Sequence, residues 1–179
     1  KERTHLYELL AQRITGYVEP QYISDDMLRG MDEEITALDL YSKHHSKIDR
    51  VGFITNDKWG FTIGYSPDAV VGKSGLVECK SRRQKYQIQT IVDGVVPPEY
   101  MIQIQTGLLV SEREWLDFIS YSGGLPMFAM RCYPMPEYQD AIVKAATAFE
   151  ARLAINLETY MKASQDYIPT ERKIIQEIY

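Results

Sequence analysis

The chain is poor in cysteine, with only Cys79 and Cys132 among 179 residues. Two thiols exclude a disulfide framework and a four-thiolate zinc or iron–sulfur site, and a reducing cytoplasm is the simplest compartment. Both read as small buried hydrophobes rather than nucleophiles. Histidine is scarce as well, and the adjacent His44 and His45 diverge by about 100° around a helix, so they do not form one metal site. Apolar runs are only a few residues long, which excludes a bilayer-spanning helix, and no signal or lipidation motif is visible. Positive charge is in deficit: 20 Lys and Arg against 25 Asp and Glu, a net of −5. A protein that coats nucleic acid through net charge alone would be basic. The chain opens on Lys1 rather than Met, and we expect the natural N-terminus to lie upstream. What is present is an ordinary globular composition, 45% hydrophobic and 25% charged, enough for one domain over 1–179 with a real core.

The charge is unevenly placed. Residues 19–39 carry Glu19, Asp25, Asp26, Asp32, Glu33, Glu34 and Asp39 against Arg29, a local net of −6. Residues 66–90 carry Lys73, Lys80, Arg82, Arg83 and Lys85 against Asp68 and Glu78, a net of +3. Charge runs are usually solvated faces. The same asymmetry suits a site that holds divalent cations with carboxylates and grips phosphates with Lys and Arg.

Periodicity predicts a helix over 4–15, with Leu6, Leu9, Leu10 and Ile14 on one stripe. A second helix follows to about residue 45, with Ser24 as its N-cap and Met27, Met31, Ile35, Leu38 and Tyr41 at helical spacing. Met27, Leu28 and Met31 are expected in the core. Strands are predicted at Val51–Ile54, Phe61–Tyr65 and Leu76–Ser81, together a β-meander. Residues 82–97 read as a polar connection. Pro97-Pro98 opens a helix to about Val110, and Trp115–Tyr121 and Met127–Tyr133 read as strands. A long helix runs from Pro136 to about Lys162, with Ala141, Ala145, Ala148, Leu153, Leu157 and Tyr160 as its buried face, and a short one is expected over 170–179. The order implies an α/β fold, a mixed central β-sheet flanked by helices.

Chemistry gathers at Ser66-Pro67-Asp68 and Glu78-Cys79-Lys80. Glu78 and Lys80 are two apart on one strand and share a face, while Cys79 points the other way. The turn Gly72-Lys73-Ser74-Gly75 brings Asp68 beside Glu78. Two carboxylates and an ammonium on one face are parts for a Mg²⁺ site and for metal-assisted attack on a phosphodiester. The residues alone leave a plain charged sheet edge as the alternative. Glu-x-Lys by itself is weak, since Glu171-Arg172-Lys173 also matches without an acidic partner.

The order and spacing of five elements carry a resemblance. Tyr7, Leu9-Leu10-Ala11 and Ile14-Thr15-Gly16 resemble an opening helix, Gly30-Met31-Asp32-Glu33-Glu34 a Gly-x-x-x-Glu motif, and Ser66-Pro67-Asp68 a Ser-Pro-Asp motif. Glu78-Cys79-Lys80 is similar to Glu-x-Lys, and Tyr100–Gln105 to a helix that supplies a Gln. Together they resemble the PD-(D/E)xK nucleases, with their restriction-endonuclease-like core, and within them the lambda-exonuclease (YqaJ-like) phage recombination nucleases. The resemblance implies that Asp68 and Glu78 ligate the metal with the Cys79 carbonyl, and that Glu34 completes the shell directly or through water. It implies that Lys80 orients the attacking water and that Gln103 positions water, metal shell or phosphate. It further implies Mg²⁺, with Mn²⁺ as a substitute, and 5′→3′ digestion of duplex DNA ends to 5′ mononucleotides. The remaining 3′ strand would go to a single-strand annealing partner, inside a bacterial host cell, with a ring-shaped homotrimer around the DNA. The family's upstream Arg and Ser, which help bind the DNA end, have no match here.

Arg82, Arg83 and Lys85 are candidates for DNA phosphates from their position just past Lys80. Gln105, two residues from Gln103, cannot face the same site and is expected at the surface or in packing. His5 is assigned no role, and Trp59 is expected to cap its turn. Competing readings are an endonuclease or junction resolvase on the same core, a catalytically inactive DNA- or protein-binding module, and a structural interaction domain. The inactive form usually lacks an acid or the Lys, and here Asp68, Glu78, Lys80 and Glu34 are all present.

Overall fold

The computed structural model describes residues 2–20 and 22–172. The described residues fall into two compact units, one drawn from 2–19 and 148–172 and one from 20 and 22–147. The first unit contains helix α1 (Glu2–Thr15) and the C-terminal half of α5 (Pro136–Ala163). Leu6, Leu10 and Leu153 form its core, with Leu9, Ile14 and Phe149 packed against them. Arg13 adds a two-pronged pair to Glu150, at 2.8 and 2.6 Å.

The second unit is built on a mixed four-stranded sheet in the order β3 (Ala69–Val71), β4 (Gly75–Ser81), β5 (Trp115–Tyr121), β6 (Phe128–Cys132). β4 and β5 run parallel, and the outer pairs are antiparallel. Alternation along β4 sorts its residues between two cores. Leu76 packs with Ile104 and Leu108 of α4 (Met101–Ser111), and with Leu116 and Phe118. Val77 and Cys79 pack with Ala37, Leu38 and Tyr41 of α2 (Asp25–His44), and with Ile119. The sheet is thus covered by α4 on one face and α2 on the other.

The expected meander does not form. β1 (Ile54–Asn56) and β2 (Ile63–Tyr65) make a separate two-stranded sheet, and the partner of β4 is β3, which lies in a stretch where no strand was predicted. Asp49 and Val70 exchange two backbone hydrogen bonds of 2.9 Å, and this bridge takes up the chain just before the expected first strand. Residues 82–97 contain helix α3 (Gln84–Asp93), whose inward positions are the polar Gln87 and Thr90. Gln87 donates to the carbonyls of Ser120 and Pro126 and accepts from the Ser120 hydroxyl, so the polar connection is a helix with a polar buried face.

Ser24 caps α2 as expected, accepting from the Met27 amide at 3.3 Å. The inward face of that helix is carried by Ala37, Leu38 and Tyr41, while Met27, Leu28, Met31 and Ile35 are exposed. On α5 the expected stripe reduces to Leu153, with Leu157 and Tyr160 exposed. From residue 173 onward the expected terminal helix lies outside the described residues. Among the described residues no helix is long and apolar enough to cross a membrane.

Candidate active site

The site forms where the C-terminal half of β4 passes between α4 and α2. Glu78 is only 1% exposed, and a carboxylate so deep must be paired and hydrogen-bonded. Its Oε1 accepts from Lys80 Nζ and from Gln103 Nε2, both at 2.6 Å. Its Oε2 accepts from the Tyr65 hydroxyl. Lys80 reaches it because residues i and i+2 of a strand share a face, and Gln103 because α4 lies over that face. Gln105 turns away and is fully buried: its amide donates to the Tyr133 carbonyl at 2.9 Å and accepts from the Met135 amide at 2.8 Å. It anchors α4 to the exit of β6.

Asp68 lies between β2 and β3 and accepts from the Cys79 amide at 2.6 Å. Burial and the charge of Glu78, aided by Glu34, push its carboxyl up to about 7, against the opposing pull of the Cys79 amide and of Lys80. Glu34, half-buried on α2, is also raised: burial is the main cause, Arg50 opposes it, Glu78 adds to it and Lys80 opposes it. Burial by itself would lower Lys80, but the Glu78 charge and hydrogen bond, with Asp68, outweigh this and raise it. Lys80 therefore remains an ammonium at neutral pH, a donor and a fixed positive charge. Cys79 is held well up as a thiol by burial and by Asp68.

Asp68, Glu78 and Glu34 thus feel one another's charge around a single ammonium. They offer hard carboxylate oxygens, the donor type Mg²⁺ takes, and their mutual repulsion is what a divalent cation relieves. In chemistry the donors fit such an ion. Among the described residues no three His, Cys, Asp or Glu side chains are gathered closely enough to enclose one. Glu78 has three protein donors, and a carboxylate has about four lone-pair sites, so about one of its sites is left for another partner.

Sequence reasoning did not find Tyr65, Tyr100 or Ser81. Tyr65 closes β2 immediately before Ser66-Pro67-Asp68, and its strand position was the available signal. Burial and Glu78 raise its hydroxyl, so it stays a proton donor. Tyr100 lies 5.7 Å from Lys80 Nζ, ring centroid to nitrogen, and stacks on Phe118. Ser81 donates to Glu33, the acid beside Glu34. Of the cations past Lys80, Arg82 is 9% exposed, while Arg83 and Lys85 are exposed. Arg82 Nη1 donates to Tyr100 at 2.6 Å and to Glu99 at 3.2 Å.

Comparison with known proteins decides the family. The model of the YqaJ-like viral recombinase domain matches residues 2–114. The chain belongs to the YqaJ-like viral recombinase family. The alkaline exonuclease LHK-Exo of Laribacter hongkongensis is 31% identical, with a TM-score of 0.82 over 93% of this chain and 86% of that one. The structure of LHK-Exo in complex with dAMP is 32% identical, with a TM-score of 0.81 over 91% and 85%. A phage-related exonuclease from Haemophilus somnus shares the fold, at 13% identity and a TM-score of 0.60 over 87% and 83%. No match was found among curated proteins. This YqaJ-family chain is a nuclease acting on DNA, and its mixed sheet flanked by helices is the exonuclease fold.

Proposed function

We propose that the chain, acting as one nuclease domain over 1–179, is a Mg²⁺-dependent 5′→3′ exonuclease on double-stranded DNA ends. It releases 5′ mononucleotides and leaves 3′ single strands. The observation that carries the reading is the convergence of Lys80 and Gln103 on buried Glu78, with Asp68 on the adjoining amide. Asp68 and Glu78, the Cys79 carbonyl and Glu34 would hold the ion. When bound, Mg²⁺ supplies an acidified water and Lewis-acid stabilisation of the phosphoryl oxygens. Lys80 donates to the water or phosphate oxygen and offsets charge building in the transition state. Gln103 holds Glu78 in its ligating orientation and presents its amide to the same region. Tyr65 fixes the far oxygen of Glu78.

Polarity, the mononucleotide product and a ring-shaped homotrimer around the duplex complete the proposal, with an annealing protein as recipient of the 3′ strand and the host-cell cytoplasm as setting. The test of polarity is digestion of duplexes labelled at either the 5′ or the 3′ end. Immediate release of the 5′ label as a mononucleotide is expected. Early release of the 3′ label instead overturns the polarity, and release of internal oligonucleotides favours the endonuclease reading.

A further inference from the structure

Just past Lys80 the surface opens into two adjoining depressions of about 450 and 410 Å³, and Arg29, Arg82 and Arg83 line both. Four features, two of them of one guanidinium, point to an anion there. First, Arg82 is nine-tenths buried. Its Nη1 donates to the Tyr100 hydroxyl at 2.6 Å and to Glu99, its charged partner, at 3.2 Å, and the guanidinium lies against the Tyr86 and Tyr100 rings at 5.3 and 5.1 Å. Second, its Nε is buried without a hydrogen-bond partner. A buried guanidinium N–H without an acceptor is costly, and a small rearrangement around an incoming anion would supply one. Third, α3 begins at this point: Arg83 is its N-cap without a side-chain cap bond, and no acid lies in its first turn. The positive dipole end of this ten-residue helix is therefore not offset by an acid of its own first turn. Fourth, a carboxylate, Glu33, already lines the first depression among these arginines. Glu33 accepts from Ser81 and lies 3.8 Å from Arg29 Nε.

We propose that this cleft seats an internal phosphodiester of the DNA strand, next to the one being hydrolysed, with Glu33 holding its place until DNA arrives. The proposal rests on the nuclease reading and deepens it. Ser81–Arg83 follow Lys80 by one to three residues, roughly 3–10 Å at strand rise, a reach that suits the neighbouring phosphate of a strand whose scissile phosphate lies at Glu78 and Lys80. Arg82 forms the floor, Arg29 and Arg83 the walls, and the α3 amides are donors that bind phosphate without reading sequence.

The test uses Glu78→Gln protein in Ca²⁺ and duplexes with one neutral methylphosphonate linkage at successive positions, read by fluorescence anisotropy. One internal position is expected to weaken binding about tenfold, the effect of losing one charge-assisted hydrogen bond. Adding Arg29→Gln and Arg83→Gln, both exposed and safe for folding, is expected to abolish that sensitivity and to lower the salt slope by about one for each phosphate no longer neutralised. Glu33→Gln is expected to tighten binding several-fold. Unchanged binding and salt slope in the double variant overturn the cleft, as does sensitivity confined to the terminal 5′-phosphate. Digestion of linear duplex by the parent chain in Mg²⁺ is scored alongside. Digestion without any cleft effect overturns the cleft alone, and absence of both digestion and DNA binding overturns the nuclease reading with it.

Discussion

Glu78 is the residue on which the site turns, because three side chains converge on its buried carboxylate. Glu78→Gln and Lys80→Met are each expected to lower kcat by about 10²–10⁴, the scale of losing a positioned charge or proton-handling group, with an unchanged circular dichroism spectrum. Gln103→Ala is expected to cost less, about tenfold, since Lys80 and Tyr65 still hold Glu78. Asp68 gives a test without DNA. Its folded carboxyl is raised to about 7 from an ordinary 3.8, so between these values the folded state binds more protons than the unfolded one. Metal-free stability therefore falls as pH rises through that window. Mg²⁺ binds the deprotonated form, so its stabilisation grows with pH. Thermal unfolding is expected to show a larger Mg²⁺ shift at pH 8.5 than at pH 6, and none in Asp68→Asn. The pair Glu78/Lys80 was legible because strand alternation places i and i+2 together. Tyr65 and Tyr100 were not, since an aromatic at a strand or helix end reads the same in packing and in a site.

The site is only as precise as the elements that carry it. α4 approaches β2 through Gly107, where an added Cβ would lie 2.6 Å from Tyr65 Cζ. Gly107→Val is expected to destabilise by about 2–3 kcal/mol through overpacking and to lower activity by driving Tyr65 from Glu78. Urea denaturation and turnover check the two effects, and Tyr65→Phe, which keeps the ring, is expected to retain most of the stability. In the other unit Leu153 is 1% exposed, and Leu153→Ala is expected to cost about 2–5 kcal/mol in the same urea experiment. Elements with an apolar periodicity were readable: β5 is Trp115–Tyr121 and α5 starts at Pro136, as the pattern predicts. α3 was hidden because Gln87 and Thr90 fill its inward positions, and β3 because three residues between two turns leave no alternation to detect. The α2 stripe was read too long, since only Ala37, Leu38 and Tyr41 meet the sheet while Met27 and Met31 stay exposed.

At the scale of the molecule, a net charge of −5 coexists with DNA chemistry because charge is sorted by position. Glu34 of the acidic segment joins Asp68 and Glu78, where a bound cation would neutralise them, while Arg29, Arg82 and Arg83 meet around one cleft. That sorting was visible in the sequence as an acidic run followed by a basic one. The placing of Arg29, from the acidic run, among the basic residues was not, because only packing of α2 on the sheet brings it there. The central claim is a metal-dependent exonuclease that needs a DNA end. It is tested most directly by incubating linear duplex and covalently closed circular duplex of the same sequence with Mg²⁺, with Glu78→Gln protein as control. The account predicts digestion of the linear form to mononucleotides, an intact circle, and no product from Glu78→Gln or after chelation of the metal. Nicking of the circle, or digestion that persists in Glu78→Gln, would contradict it.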